Sequence, residues 1–354
     1  MAPLDEFALI RKLTGQRLLP LGEGAARGIR VGLGDDAAVI RGTVGWDTVL
    51  TTDAMVQDVH FKTVTMKPFD VGYKAMASNI SDIAAMGGVP KHALVTLCVP
   101  KTASTGDLEE LYQGIYACAD RYGVMVIGGD TTSSPAGLTV AVTLIGEVEA
   151  ERAILRSGAK PGHAIVVTGP LGGSAAGLSW LLRQNTDARQ LDELPEWAEA
   201  ITRCHQRPEP QVKAGRLLVK LGCAGALNDI SDGLASEAWE IAEASGVCIS
   251  LEENLLPLAP GARTYADSLA NEGAPLDWIL YGGEDYQLVA TVSPDRVEEA
   301  AERFRREGLN LIRVGHVSSG EPGVFLQGRN GAVRALTKKG YNHFASESSL
   351  ASDG

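Results

Sequence analysis

The stretch DVGYKAMASNISDIAAMGG, residues 70–88, decides the fold. Val71, Ala75, Ile80, Ile83, Ala84 and Gly87 recur at roughly helical spacing, which predicts a helix with one apolar face. Asp82 stands inside that helix beside Ser81, where aspartate has poor propensity and no helix end to cap, so function outweighs structure there. Upstream, WDTVLTTD (46–53) reads as a strand whose last residue is Asp53. Downstream come a strand, HALVTLCVP (92–100), and a helix, LEELYQGIYACADRYG (108–123), closed by Gly123. VMVIGGD (124–130) is a strand running into Asp130, and LTVAVTLIGEV (138–148) is another. Strands and helices interleaved in this way specify an α/β (α+β) architecture. The apolar runs 92–99 and 138–146 read as buried on both faces.

The polar, turn-rich segment ERAILRSGAKPG (151–162) predicts a domain boundary, dividing an N-terminal α/β domain, 1–150, from a C-terminal α/β domain, 151–345. Beyond it AIVVTG (164–169) reads as a strand leading into a Gly-rich turn and a helix. DISDGLASEAWEIAEASG (229–246) predicts a capped helix with Leu234, Ala238, Ile241 and Ala242 inward, and Asp229 and Asp232 three apart at its start. Further strands are expected at 286–292 and 311–318, with Asn330-Gly331 marking a hairpin turn. The tail SESSLASDG (346–354) reads as disordered.

With 354 residues, 45% of them hydrophobic, the chain has material for two separately cored domains. A net charge of −12 argues against a nucleic-acid partner held on a basic face. Cys98, Cys118, Cys204, Cys223 and Cys248 are widely spaced and form no CxxC pair, which reads as reduced thiols in a cytoplasmic protein. Asp5, Glu6, Arg11 and Lys12 interrupt the apolar stretches of the N-terminus, so it lacks the pattern of a signal peptide. No apolar run approaches the roughly 20 residues of a membrane-spanning helix.

Seven aspartates occupy short Gly/Ser/Thr-rich signatures: GDDAAV (Asp35, Asp36), TTDAM (Asp53), SDIAAMGG (Asp82), GGDTT (Asp130) and DISDGL (Asp229, Asp232). Small and apolar neighbours point to partial burial, and a buried carboxylate needs a cation, a hydrogen-bond donor or a raised pKa. Few Lys or Arg stand beside these motifs, so divalent ions are the most economical partners, and hard oxygen ligands select Mg²⁺, Mn²⁺ or Ca²⁺ over zinc. Plainer roles compete at some positions: Asp232 or Ser231 also fits a helix N-cap, and Asp35 a turn residue. TGPLGGSAAGL (168–178) lacks the GK[ST] ending of a P-loop, so its glycines read as strand–helix packing. No HExxH or GxSxG pattern occurs; His60, shortly after Asp53, is the one histidine near a candidate site.

In order, GDDAAV, TTDAMVQDVHF, KAMASNISDIAAMGG, GGDTT, RSGAKPGH, VTGPLGGSAAGL, SDGLASE, YGGEDYQL and KGYNHF resemble the motifs of the thiamine-monophosphate kinases over residues 5 to 345. That family is similar, more distantly, to aminoimidazole ribonucleotide synthetase and selenophosphate synthetase. The resemblance implies a two-domain ATP-using fold whose N-terminal domain forms a homodimer, and ATP-dependent phosphorylation of thiamine monophosphate to thiamine diphosphate. It implies several Mg²⁺ ions held by Asp36, Thr51, Thr52, Asp53, Asp82, Asp130, Asp229 and Asp232, with Asp35 a ligand or a neighbour of one. Gly129, Asp130, Arg156 and Ser231 match ATP-phosphate contacts, and Arg156 adds charge on the transferred group. Asp53, Asp82, Asp130 and Arg156 are thus the expected catalytic set. Tyr112 matches an aromatic near the adenine and equally fits a half-buried helix tyrosine. His60, Glu284 and Tyr341 match positions touching the thiamine phosphate. SDGLASE departs from the commoner SDGL-x-x-D continuation by ending in Glu237.

Overall fold

The computed structural model describes residues 12–13, 28–31, 39–184, 188, 193–269 and 274–338. Asp35, Asp36, Tyr341 and the tail 346–354 lie outside the described residues. A short antiparallel pair, β1 (Ile29–Val31) and β2 (Val39–Ile40), comes first. Next are β3 (Trp46–Val56), α1 (Pro68–Ala85), β4 (Val89–Pro100), α2 (Thr105–Tyr122), β5 (Met125–Ser134) and β6 (Thr139–Glu149). β3 to β6 form a four-stranded sheet in the order β3-β6-β4-β5.

The C-terminal half begins with β7 (Ala164–Val167), α3 (Gly173–Gln184), α4 (Glu196–Gln206), α5 (Val212–Leu221) and β8 (Ala224–Asp229). It continues with α6 (Leu234–Ser245), β9 (Cys248–Glu252), α7 (Ala262–Ser268), α8 (Ala274–Tyr281) and β10 (Leu288–Val292). It closes with α9 (Val297–Arg306), β11 (Ile312–Ser318), β12 (Gly323–Gln327) and β13 (Val333–Ala335). Seven of these strands share a sheet in the order β13-β12-β9-β11-β7-β10-β8. β12 and β13 pair as the hairpin expected around Asn330-Gly331.

Helix α1 is the hub. Pro68 opens it at a position where a missing N–H costs nothing, and the Asp70 carboxylate accepts the Lys67 amide at 3.3 Å. Met76, Ala77, Ile80, Ile83 and Ala84 are fully buried. Ile80 joins the core under the four-stranded sheet with Val95, Val142 and Leu144. Ala84 and Ala85 instead pack with Leu217, Leu218 and Leu288 of the C-terminal half. Burial all round the helix, with polar Lys74, Ser78, Asn79 and Ser81 included, therefore records a central position rather than a surface one.

Gly72 and Gly114 let α1 and α2 meet backbone to backbone. A methyl at Gly72 would lie 1.9 Å from the Leu111 carbonyl oxygen, and one at Gly114 would lie 1.8 Å from that of Phe69. Either glycine changed to alanine must push the helices apart. Gly114→Ala is expected to destabilise by about 1–3 kcal/mol, the usual cost of overpacking. Calorimetric melting checks this; an unchanged Tm would show that the helices separate freely.

Three sequence expectations need correction. β3 and β5 run past Asp53 and Asp130, so both aspartates lie within strands rather than at their ends. β4 and β6 bury one face only: Ala93, Val95, Leu97, Val140, Val142 and Leu144 point to the helices, whereas Leu94, Thr96, Cys98, Ala141, Thr143 and Ile145 are half-exposed. Asp229 ends strand β8 instead of starting a helix, and α6 begins after Gly233 with no side-chain cap. The Gly-rich turn of 168–178 does serve packing. A methyl at Gly177 would sit 2.1 Å from the Ile201 carbonyl, so α3 and α4 cross closely. No helix among the described residues is long and apolar enough to cross a membrane, and the five cysteines are free thiols.

Candidate active site

Residues of β3 alternate between two environments. Thr51 and Asp53 face α1, where Ser78 and Asp82, one turn apart, meet them. The Thr51 hydroxyl donates to Asp82 Oδ2 at 2.5 Å, the Asn79 side-chain oxygen accepts the Asp53 amide at 3.1 Å, and Ser78 bonds the Asp53 carboxylate. The next helix residue before Asp82 reaches the other half of the chain: Ser81 Oγ donates to Asp229 Oδ2 at 2.6 Å. Asp53, Asp82 and Asp229 are thus drawn together by one helix, a strand from each sheet and three serine or threonine hydroxyls. Thr52 turns the opposite way, its hydroxyl bonded to the Val142 carbonyl at 3.1 Å.

These acids pay electrostatically for their company. Burial, then Asp229 and Asp53, push the Asp82 carboxyl up to about 7, with Thr51 and Arg156 opposing. Burial raises Asp229 to about 6, against the Ser81 bond. Burial also raises Asp53, while Ser78 and His60 hold it down. His60 itself is fixed by accepting the Val56 amide on Nδ1 at 3.0 Å. Tyr286, a buried residue at φ 49°, feels Glu284, Asp53, Asp229 and Asp82 together, which with burial keeps its hydroxyl protonated.

Thr51, Asp82, Arg156, Asn228 and Asp229 line a cavity of about 560 Å³ floored by Leu227, Ala85 and Met86. That volume suits a small-molecule ligand. Arg156 Nε donates to Asn228 Oδ1 at 3.0 Å, and its Nη1 lies 3.1 Å from Glu240. Asn228 in turn donates to Glu237, which also accepts from Ser231 Oγ at 3.2 Å and from the Asp232 amide at 3.1 Å. Burial and the neighbouring Glu240 raise Glu237 to about 8. One carboxyl therefore braces Ser231, Asp232 and, through Asn228, Arg156. Loop 283–287 runs beside this turn, with the Glu284 amide donating to the Ser231 carbonyl at 2.7 Å.

Other expected positions stand apart within one chain. Asp53 pairs with Val142, Val142 with Val95, and Val95 with Gly129, so Gly129 lies three strands, about 14 Å, from Asp53. Asp130 pairs with Thr96 and shares its half-exposed face, opposite to Asp53. Tyr112 is buried in α2, its ring 5.7 Å from that of Tyr116, in a separate hollow with Leu13 and Glu109. Tyr112 is thus more deeply buried than a half-buried tyrosine.

Ser78, Asn79, Ser81, Asn228 and Tyr286 complete the cluster without having been singled out in the sequence, and Glu237, noted there only as a departure from the motif, joins them. The N-terminus of α3 provides a contrast: the Asp285 carboxylate accepts the Gly172 amide at 2.6 Å and the Ser174 amide at 3.1 Å. The chain's own acid occupies the place a phosphate takes in a P-loop.

The acids also bear on a metal. Among the described residues no three His, Cys, Asp or Glu side chains converge into a cage. Mg²⁺ does not ask for one; it takes one or two carboxylates and completes its shell with phosphate oxygens and water. Hard oxygens that raise one another's pKa fit that demand.

Two family patterns cover the chain: "AIR synthase related protein, N-terminal domain" over residues 34–148 and its C-terminal counterpart over 160–327. The thiamine-monophosphate kinase of Bacillus subtilis (strain 168) is 40% identical over 341 residues, 96% of this chain and 100% of that protein. The chain belongs to the thiamine-monophosphate kinase family. A second relative of that name, from Salmonella typhimurium, is 34% identical over 90% of this chain and 93% of its own. In fold, the crystal structure of thiamine-monophosphate kinase from Stenotrophomonas maltophilia K279a superposes with a TM-score of 0.78 at 32% identity, over 94% of this chain and 98% of that one. AaThiL complexed with AMPPCP and TMP gives 0.74 at 32% identity, over 96% of each chain.

Proposed function

We propose that this chain transfers the γ-phosphoryl group of ATP to the phosphate of thiamine monophosphate, giving thiamine diphosphate and ADP. The convergence of Thr51, Asp82 and Asp229 at one cavity, with Asp53 near enough to bear on both acids, carries the reading, in a chain whose relative AaThiL was solved with AMPPCP and TMP. Both substrates are polyanions, so a pocket of carboxylates repels them until cations intervene. Asp53, Asp82 and Asp229, with the Thr51 hydroxyl, would hold Mg²⁺, which when bound would supply charge neutralisation for the phosphates. Arg156 adds a fixed positive charge at the cavity, and Glu237 braces it through Asn228 while also holding Ser231 and Asp232.

A terminal oxygen of thiamine monophosphate attacks the γ-phosphorus in line as the bond to the β-phosphate oxygen breaks and ADP leaves. The acceptor phosphate is largely ionised at neutral pH, its second pKa being about 6 by analogy with phosphoserine, so no strong general base is needed. His60 and Glu284 flank the acceptor in this reading. Residues 1–150 and 151–345 act as two domains with the cavity between them, in a cytoplasmic enzyme.

The working unit in this reading is a homodimer built through the half-exposed face of the four-stranded sheet. Leu50, 67% exposed, lies on that face with Leu94, Ala141 and Ile145. A twofold axis along the strands, between two such faces, sets the β5 edge of one copy over the β3 edge of the other. Asp130 of one copy then lies over the β3 edge of its neighbour, the strand that carries Asp53.

Coupled ADP release tests the activity. Turnover is expected with thiamine monophosphate and Mg²⁺ or Mn²⁺, to vanish in excess EDTA, and to be poor with free thiamine, which lacks the ionised nucleophile. Equal turnover of thiamine, or activity that survives EDTA, overturns the assignment.

A further inference from the structure

Behind Glu284 lies a second buried charge cluster, whose other members, Lys74 and His205, take no part in the scheme above. Lys74, on α1 two turns before Asp82, is completely buried and has its ammonium bonded to Glu284 Oε2. His205 of α4 stands beside the pair, its Nδ1 3.4 Å from Lys74 Nζ and 3.4 Å from the same Glu284 oxygen. Ser174 Oγ approaches that nitrogen at 3.2 Å, and Nε2 of the ring is buried without a partner. Burial and the Lys74 charge keep His205 neutral. It therefore acts as an acceptor beside the ammonium, leaving Glu284 as the one carboxylate bonded to Lys74 among the described residues.

Glu284 is held from its other side too. Its backbone sits at φ 65°, unusual for a residue with a side chain, and its amide is tied to Ser231. Asp285 next to it is anchored on the first turn of α3. The Glu284 side chain keeps 28% of its surface open. One carboxylate oxygen is thus committed to Lys74, while part of the side chain stays open.

We infer that Lys74 is a positioning residue for the phosphate acceptor: it fixes one oxygen of Glu284 so that the other meets the cationic, amine-bearing end of thiamine monophosphate. The inference rests on the acceptor assignment above. A carboxylate pinned at one oxygen cannot rotate away, and its orientation toward a cation is prepared before the ligand arrives. The fold supplies the reason for a lysine here. Its ammonium comes from the N-terminal half and its partner from the C-terminal half, so the acceptor pocket takes shape only when both are in place.

The test is steady-state kinetics of Lys74→Met, Glu284→Gln and the double variant, with each substrate varied in turn. Lys74→Met is expected to raise KM for thiamine monophosphate about tenfold or more, with KM for ATP within about twofold, as for loss of a charge-assisted contact. Glu284→Gln should do the same, and the double variant should be no worse than either, because the two act as a unit. A merely structural lysine would instead lower Tm and disturb both KM values together, and that pattern overturns the proposal. So does an unchanged KM for thiamine monophosphate in folded Lys74→Met. If that variant fails to fold, having left a buried carboxylate unpaired, the double variant removes both charges and decides. A wild-type KM for thiamine monophosphate there overturns the proposal, and a weakened one supports it. Wild-type protein without turnover of thiamine monophosphate overturns the acceptor assignment itself and the inference with it.

Discussion

Asp82→Asn is expected to lower kcat by about a hundredfold or more, equivalent to losing an interaction of roughly 3 kcal/mol. The substitution keeps the shape, and the new amide oxygen still accepts from Thr51, so what is lost is a full negative charge facing the phosphates. Stability should move the other way. The folded Asp82 carboxyl titrates near 7 against an ordinary 3.8, so the native state holds a proton that the unfolded chain releases. With no metal present, ionising Asp82 therefore costs stability, a cost that grows as pH rises from about 4 to 7 and is complete above it. Metal-free Asp82→Asn should melt close to wild type near pH 4 and increasingly above it toward pH 8. Asp53→Asn combined with Asp82→Asn should fall far short of additive in kcat, since both serve one ion-bridged array. A purely structural Asp82 predicts the reverse, a lower Tm with near-normal kcat. A normal kcat for Asp82→Asn would remove the metal-site reading.

How much of this was legible in the sequence differs by element. Helix α1 was readable because its apolar period and its misplaced aspartate are local facts. The convergence of Asp82 with Asp229 was not, because Ser81 bridges residues 148 apart in the chain. Glu237 shows the same limit: its partners lie on strand β8 (Asn228) and on the turn after it (Ser231, Asp232), and only the fold brings them under its carboxylate. Strand β8 escaped notice because Ala-Gly-Ala-Leu-Asn-Asp has little intrinsic β preference; pairing with β10 makes it a strand. The strand ends at Asp53 and Asp130 were drawn too early because aspartate is rare inside strands, yet β3 and β5 are edge strands that tolerate it. β4 and β6 looked buried on both sides because Thr, Cys and Ala on the open face are as small and apolar as those of a core. That ambiguity belongs to the chain: a face that looks like a core suits a second copy.

Two inactive variants are expected to restore each other. Asp82→Asn and Asp130→Asn homodimers should each be impaired by about a hundredfold or more if both carboxylates serve the same phosphates. Within one chain the register separates Asp130 from the other acids: it pairs with Thr96 on the far edge strand, its side chain on the open face, while Asp53 and Asp82 lie on the helix side of β3. A site using both draws Asp130 from the neighbouring copy. Co-expressed at equal levels, the two chains form about half mixed dimers, each with one doubly altered site and one intact site, so about a quarter of wild-type activity should return. Were Asp130 to act on its own chain's site, every site in the mixture would carry one defect and the activity would stay at the level of the parents. Purification of the mixed dimer through two different tags, followed by ADP-release assay, separates the cases. A stable monomer near 37.3 kDa in light scattering would count against the shared site before any kinetics were done.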